Sequence, residues 1–256
     1  MLVAPISATV TPVTDAPPNG HLYLDFNAPL SDARAYELIN SLQPLAGSTI
    51  VDFGCGWAEL LLRILETDPA ARGIGADGDE LAVERGRANA TTRGLSSTAR
   101  LDLADVTTWE APLADVAISI GASHAWGSTR QTLEAMHSRI RPGGKLLLGD
   151  AFWDKPPTAD LLRRLEAEPD EWGTLAELVD LAMATGYRLL SLSVASTDEW
   201  DSFESRWCAG RERWLLEHPD APDFAEVRAV VDQHRDLWLH GYRGYWGFAY
   251  LTLARL

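Results

Sequence analysis

The chain is poor in cysteine, lysine and methionine and lacks any long apolar run. Its 256 residues include only two cysteines, Cys55 and Cys208, far apart and outside any metal-ligand spacing. That argues against a disulfide framework and leaves a structural zinc site without support, so no metal is expected. No apolar stretch approaches the roughly 20 residues that cross a bilayer, so no membrane segment is expected. Residues 1–19 carry neither a basic cluster nor the apolar centre of a signal peptide. They read as a Pro- and Thr-rich lead-in, and the expected location is cytoplasmic. Basic residues are also scarce: Lys145 and Lys155 are the lysines, and 22 Lys and Arg face 37 Asp and Glu for a net charge of −15. A protein that grips nucleic acid presents a basic stripe to the phosphates, and none is visible, so neither a nucleic acid nor an anionic membrane is an expected partner.

What is present is ordinary soluble-globular composition, 46% hydrophobic and 23% charged. Over residues 48–196, short β-branched or apolar runs alternate with helical stretches, which implies βαβ units and a parallel sheet. Strands are expected at 49–53, 72–77, 99–104, 115–120, 145–148, 187–195 and 245–254. The fold class is α/β, a Rossmann-like doubly wound seven-stranded sheet with helical lid insertions. Residues 1–47 precede this core and hold a helix capped by Ser31. Residues 197–242 form a Trp-rich helical insertion, and residues 243–256 supply the last strand. Within the insertion Trp200, Phe203, Trp207 and Trp214 share a helical face, which reads as core between lid and sheet or as a substrate wall.

The segment Val51-Asp52-Phe53-Gly54-Cys55-Gly56-Trp57-Ala58-Glu59 sits where the first strand turns into a helix. Glycines there permit a tight turn and a close backbone approach to a ligand. Asp77 ends the second strand, 21 residues after Gly56, where a carboxylate can accept from ribose hydroxyls. An adenosine-containing ligand is implied. A dinucleotide site wants a third glycine where this chain has Glu59, and an acid facing a pyrophosphate is repulsive. A cationic sulfonium donor suits an acidic turn.

These segments resemble the class I S-adenosylmethionine (SAM)-dependent methyltransferase superfamily, over about residues 48–195. Val51 to Gly56 resembles its first motif, Gly75-Ala76-Asp77 the end of its second strand, and Leu103-Ala104-Asp105-Val106 the segment that meets the adenine amino group. Asp115 to Gly121 resembles the fourth strand, and Arg141-Pro142-Gly143-Gly144-Lys145 the turn before the fifth. Ser119 to Gly127 and Leu148 to Trp153 resemble bacterial small-molecule methyltransferases. The resemblance implies a sheet whose seventh strand is antiparallel, SAM as the methyl donor and S-adenosylhomocysteine (SAH) as product. Asp52, Gly54, Cys55, Gly56, Asp77, Gly78, Asp105, Val106 and Gly121 are the implied donor-binding set. Gly78 directly after Asp77 departs from the pattern and predicts a looser ribose edge.

Ligands bind outside the carboxyl ends of parallel strands, so residues 20–47 and 197–242 are expected to roof the donor and shape a small-molecule acceptor pocket. Methyl transfer needs positioning in water-poor surroundings; a general base matters only for an acceptor that must lose a proton. His124, just past the fourth strand, is the candidate base, with packing against the donor as its other reading. Asp150 is a candidate to orient His124, with a turn role as the alternative. Tyr23, Trp126, Trp153 and Trp200 are candidate acceptor contacts, aromatic walls for a flat or cationic molecule. Cys55 lacks a cationic neighbour in sequence and reads as a space-filler. Two other functions stay open: a SAM-binding sensor or scaffold without transferase activity, and a nicotinamide-dependent oxidoreductase.

Overall fold

The computed structural model describes residues 17–256. The first sixteen residues of the expected lead-in lie outside the described residues. From Asp32 the elements are α1 (Asp32–Ser41), β1 (Thr49–Phe53), α2 (Glu59–Thr67), β2 (Arg72–Asp77), α3 (Glu80–Thr92) and β3 (Ala99–Leu103). Then follow β4 (Ala114–Ile120), α4 (Ser123–Trp126), α5 (Thr129–Arg139), β5 (Ile140–Trp153), α6 (Ala159–Leu165) and α7 (Leu175–Ala184). The chain ends in β6 (Tyr187–Val194), α8 (Thr197–Glu217), α9 (Phe224–Leu237), a π-helical turn (Trp238–Tyr242) and β7 (Trp246–Arg255).

Strand order is β3-β2-β1-β4-β5-β7-β6, with β7 antiparallel to both of its neighbours. Side chains alternate across the pleat and so feed two cores. Ile50, Ile118, Leu147 and Tyr250 join one core with Leu38 and Ile39 of α1 and Leu61 and Ile64 of α2. Val51, Phe53, Leu146, Leu148 and Leu251 join the other with Leu133 and Met136 of α5 and Leu178 of α7. Helices on both faces thus bury strands that read as continuous apolar runs, as parallel sheets require.

β5 is longer than the run 145–148 suggested. It begins at Ile140 opposite Ala114, and the register shifts before Val116 meets Lys145. At its far end β7 pairs with it as far as Trp153 opposite Trp246. The extension past Leu148 depends on a partner about a hundred residues away, which no local pattern shows.

The insertion over 197–242 folds as two helices. α8 starts in a capping box, where Ser196 Oγ accepts from Glu199 N and Glu199 Oε2 accepts from Ser196 N. α8 and α9 pack around Cys208, Trp214, Leu215, Val227 and Val231. The aromatic stripe is divided among neighbours. Trp214 lies in that helix–helix core, Phe203 and Trp207 pack on Leu24 and Trp57, and Trp200 packs toward Tyr242 and Trp246.

Candidate functional site

β1 is flanked by β2 on one side and β4 on the other, so the sheet reverses winding at β1, and the crevice outside the strand ends opens there. The turn after β1 carries three residues at positive φ: Gly54 (78°), Gly56 (54°) and Ala58 (58°). Gly54 is required twice over, by its backbone and because a Cβ there would sit 2.5 Å from Ala122 Cβ in the turn after β4. Ala58 holds the left-handed conformation without glycine's freedom, strain of the kind that collects at binding turns.

A cavity of about 580 Å³ opens over this turn, within the range typical of sites for drug-sized ligands. All nine residues assigned to the donor lie on its wall: Asp52, Gly54, Cys55, Gly56, Asp77, Gly78, Asp105, Val106 and Gly121. Asp77 is fixed by its own fold. Its Oδ2 accepts from Gly56 N at 2.7 Å and its Oδ1 from Asp79 N at 2.9 Å. At Gly78 nothing lies within 4 Å of where a Cβ would stand, so the cavity edge is open at that residue. Asp105 Oδ1 accepts from Thr107 N and Thr107 Oγ1, which lowers its carboxyl below the usual range.

Glu59 stands on the cavity wall with its carboxylate paired: Oε1 accepts from Arg63 Nε at 2.7 Å and Oε2 from Arg93 Nη2 at 2.5 Å. Asp52, Asp77, Asp79 and Asp105 add further acid to the same wall. Asp52 is 5% exposed, and burial, followed by the charge of Asp77, pushes its carboxyl up to about 8. The same burial, with both carboxylates, raises the Cys55 thiol well above its ordinary value, which suits a filler rather than a nucleophile. A buried acid raised in this way is relieved by a cation, so the residues present fit a positively charged adenosyl donor.

The N-terminal segment closes the cavity from above with His21, Phe26, Asn27, Ala28 and Leu30. Its backbone is clamped from below. Arg85 of α3 donates to His21 O and Leu24 O, its guanidinium lies 4.1 Å from the Trp57 ring centroid, and Trp57 Nε1 donates to Asp25 O at 2.6 Å. Sequence reading missed Phe26, Asn27, Arg85 and this role of Trp57. The segment has no periodicity, and a side chain bonded to distant carbonyls leaves no spacing signal.

His124 also lies on the cavity wall, in the short α4 after β4. Asp150 does not reach the wall. It is 3% exposed, and accepts from Ser123 Oγ at 2.9 Å, Thr129 Oγ1 at 2.7 Å and Ala151 N at 2.8 Å. Burial raises its carboxyl despite those donors, and it pins the His124 segment to β5. The four aromatic acceptor candidates stand off this cavity. Tyr23 lies beneath Arg213, 4.6 Å from its guanidinium, and beside Gly210 of α8. Trp126 packs edge-on to Phe53 and under Arg139. Trp153 is buried with Leu161, Trp238 and Tyr242, and Trp200 lines a separate pocket with Phe152, Tyr242 and Trp246. Among the described residues, no group of three or more His, Cys, Asp or Glu side chains is placed to hold a metal.

Comparison with known proteins agrees with this geometry. Residues 50–144 match the model of a methyltransferase domain family. The chain is 27% identical over 208 residues to the Escherichia coli (strain K12) protein YjhP, covering 80% of this chain and 83% of that one. It is 28% identical over 216 residues to trans-aconitate 2-methyltransferase of Variovorax paradoxus (strain S110), covering 81% and 72%. The fold superposes, at a TM-score of 0.85 and 24% identity, on a SAM-dependent methyltransferase from Geobacter sulfurreducens crystallised with SAH, covering 93% of this chain and 96% of that one. The glycine turn, the acid at the tip of β2 and the antiparallel last strand thus accompany a methyltransferase-domain match over residues 50–144, and the fold is that of SAM-dependent methyltransferases.

Proposed function

We propose that this protein transfers a methyl group from SAM to a small-molecule acceptor. The observation that carries the reading is the pair of carboxylates, Asp52 and Asp77, beneath a glycine turn at the sheet's switch point. SAM supplies an electrophilic methyl carbon. The chain's part is to hold an acceptor atom roughly 3 Å from that carbon, in line with the bond that breaks, and to exclude water while it does so. The acceptor lone pair forms the new bond, and the electrons of the broken C–S bond stay on sulfur. An acceptor that carries a proton gives it to His124, whose ring stands on the cavity wall; Asp150 acts behind it by fixing Ser123 and Thr129. The relatives that act on small molecules, such as the trans-aconitate enzyme, support that acceptor class here.

The deciding experiment is calorimetry with SAM and SAH, followed by assay of labelled methyl transfer into a metabolite extract. Saturable binding of both and a labelled product are expected. Binding without product from any extract would favour a donor-binding sensor, and indifference to both compounds at millimolar levels would remove the assignment. His124→Ala is expected to lower turnover by 10²-fold or more while SAM affinity stays within about twofold. Equal loss of both would recast His124 as a donor contact.

A further inference from the structure

The donor cavity holds more acid than its donor can neutralise. Asp52, Glu59, Asp77, Asp79 and Asp105 stand on its wall, and among the described residues no Lys or Arg lines it. Glu59 is neutralised by Arg63 and Arg93. The other carboxylates have no such partner. Asp77 accepts from Gly56 N and Asp79 N, Asp79 from Leu81 N and Ala82 N, and Asp105 from Thr107, all of them neutral donors. Asp52 is 5% exposed on the cavity wall, and its carboxylate has no hydrogen-bond partner among the described residues. Its own proton reports the field, because the charge of Asp77 helps to hold that proton in place.

Nearby bases do not reverse this balance. His21 also stands on the wall, and burial keeps its ring below the usual range, so near neutrality it is uncharged. Arg85 donates to the carbonyls of His21 and Leu24 and lies over the Trp57 ring. SAM brings one net positive charge, a sulfonium and an ammonium against a carboxylate. Even with that charge and Arg85 both counted, acid remains in surplus. A cleft walled by one sign of charge concentrates its field and favours ligands of the other sign. A carboxylate or phosphate acceptor would enter against that field and meet no Lys or Arg on the wall.

The wall near His124 is otherwise apolar. Ile120 and Ala122 come from the end of β4, and the strap adds Phe26, Ala28 and Leu30. We propose that the methyl acceptor is an amine, with an apolar body and a nitrogen that is protonated in water, and that the product is its N-methyl derivative. The proposal rests on the methyltransferase reading above, to which it adds the acceptor's chemical class. The ammonium gives one proton to the His124 ring. The nitrogen lone pair so freed forms the bond to the methyl carbon while the C–S bond breaks, and the electrons of that bond stay on sulfur. The product leaves as a methylammonium, carrying the positive charge that the sulfonium loses, and His124 returns its proton to water.

The test begins with a metabolite extract split by ion exchange at pH 7 into cationic, neutral and anionic pools. Each pool is offered separately to the full-length protein with methyl-labelled SAM. The cationic pool is expected to yield about tenfold more labelled product than either of the others. That product should remain cationic and survive mild alkali, which a methyl ester does not. Equal or greater labelling from the neutral or anionic pool, or an alkali-labile product, would overturn the amine class and leave the methyltransferase reading standing. No label from any pool, with SAH bound in calorimetry, would sink the methyltransferase reading and this proposal with it. In a second arm, hexylamine, hexanol and hexanoate are titrated into the SAH-saturated protein and followed at the Gly121 amide. Hexylamine should bind about tenfold more tightly than hexanol, with an advantage that shrinks in molar salt, and hexanoate should not bind. Hexylamine binding no tighter than either of the others would overturn the proposal.

Discussion

Asp52 and Asp77 share one wall of the donor cavity, and their proximity has a thermodynamic consequence. Asp52 sits at about 8, so near neutrality it is mostly protonated. A cationic donor stabilises the ionised form and therefore expels that proton as it binds. SAM affinity should climb as the pH rises from 6 to 8 and level off above that. Calorimetry in buffers of different ionisation heat should show proton release across that window that fades above about pH 8; a flat profile would remove Asp52 from the donor's charge environment. Asp77→Ala should cost about 1–3 kcal/mol of SAM affinity, since ribose hydroxyls lose their acceptor. It should also move the pH limb downward, because the second cause of the Asp52 shift is the charge of Asp77.

Among elements, the contact between α1 and α8 decides how firmly the lid sits. Glu199 takes the backbone N and hydroxyl of Ser31, the guanidinium of Arg34 at 2.8 Å and the N–H of Ser196. Burial alone would raise this carboxyl, but Arg34, Ser196 and Ser31 more than offset that and hold it at about 2, below the usual 4.5. Because its folded value is depressed, its stabilisation is complete above the unfolded value and is lost as the pH falls from about 4.5 through 2. Glu199→Ala should destabilise the protein by about 3 kcal/mol at pH 7, the scale for breaking a buried ion pair. Urea unfolding at pH 7 and pH 3 should show the gap shrink at the acid end; a constant gap would mean that Glu199 does not act through its charge.

The same elements show what could be read from the chain alone. β1 and β2 begin and end where alternation and glycine punctuation place them, and the cap at Ser31 is local chemistry. α4 is a single turn with no buried residue, too short for a periodic signal. That the nine candidates would share one cavity wall was legible because turns and acids follow the ends of successive strands at the sheet's carboxyl edge. The packing of the lid was not: Phe26, Trp200 and Trp246 join one apolar cluster only after the lid folds back on the sheet, and aromatic spacing along α8 does not say which neighbour each ring finds.

At the level of the whole molecule, the surplus of 15 negative charges and the closed strap over the cavity bear on the size of the acceptor. A polyanion such as RNA would meet repulsion across the surface before reaching Gly121. After incubation of the protein with labelled SAM and a cell extract, the label should therefore appear in the fraction that passes a 3-kDa filter. Label retained mainly on RNA or protein would contradict a small-molecule acceptor.

The two backbone N–H groups that grip Asp77 fix its carboxylate independently of any ribose. A seat fixed in this way leaves little ordering entropy to be lost on association. Rapid mixing, followed through the intrinsic tryptophan fluorescence to which Trp57 on the same wall contributes, should then give one exponential whose rate grows linearly with donor concentration, without the plateau that a slow rearrangement imposes.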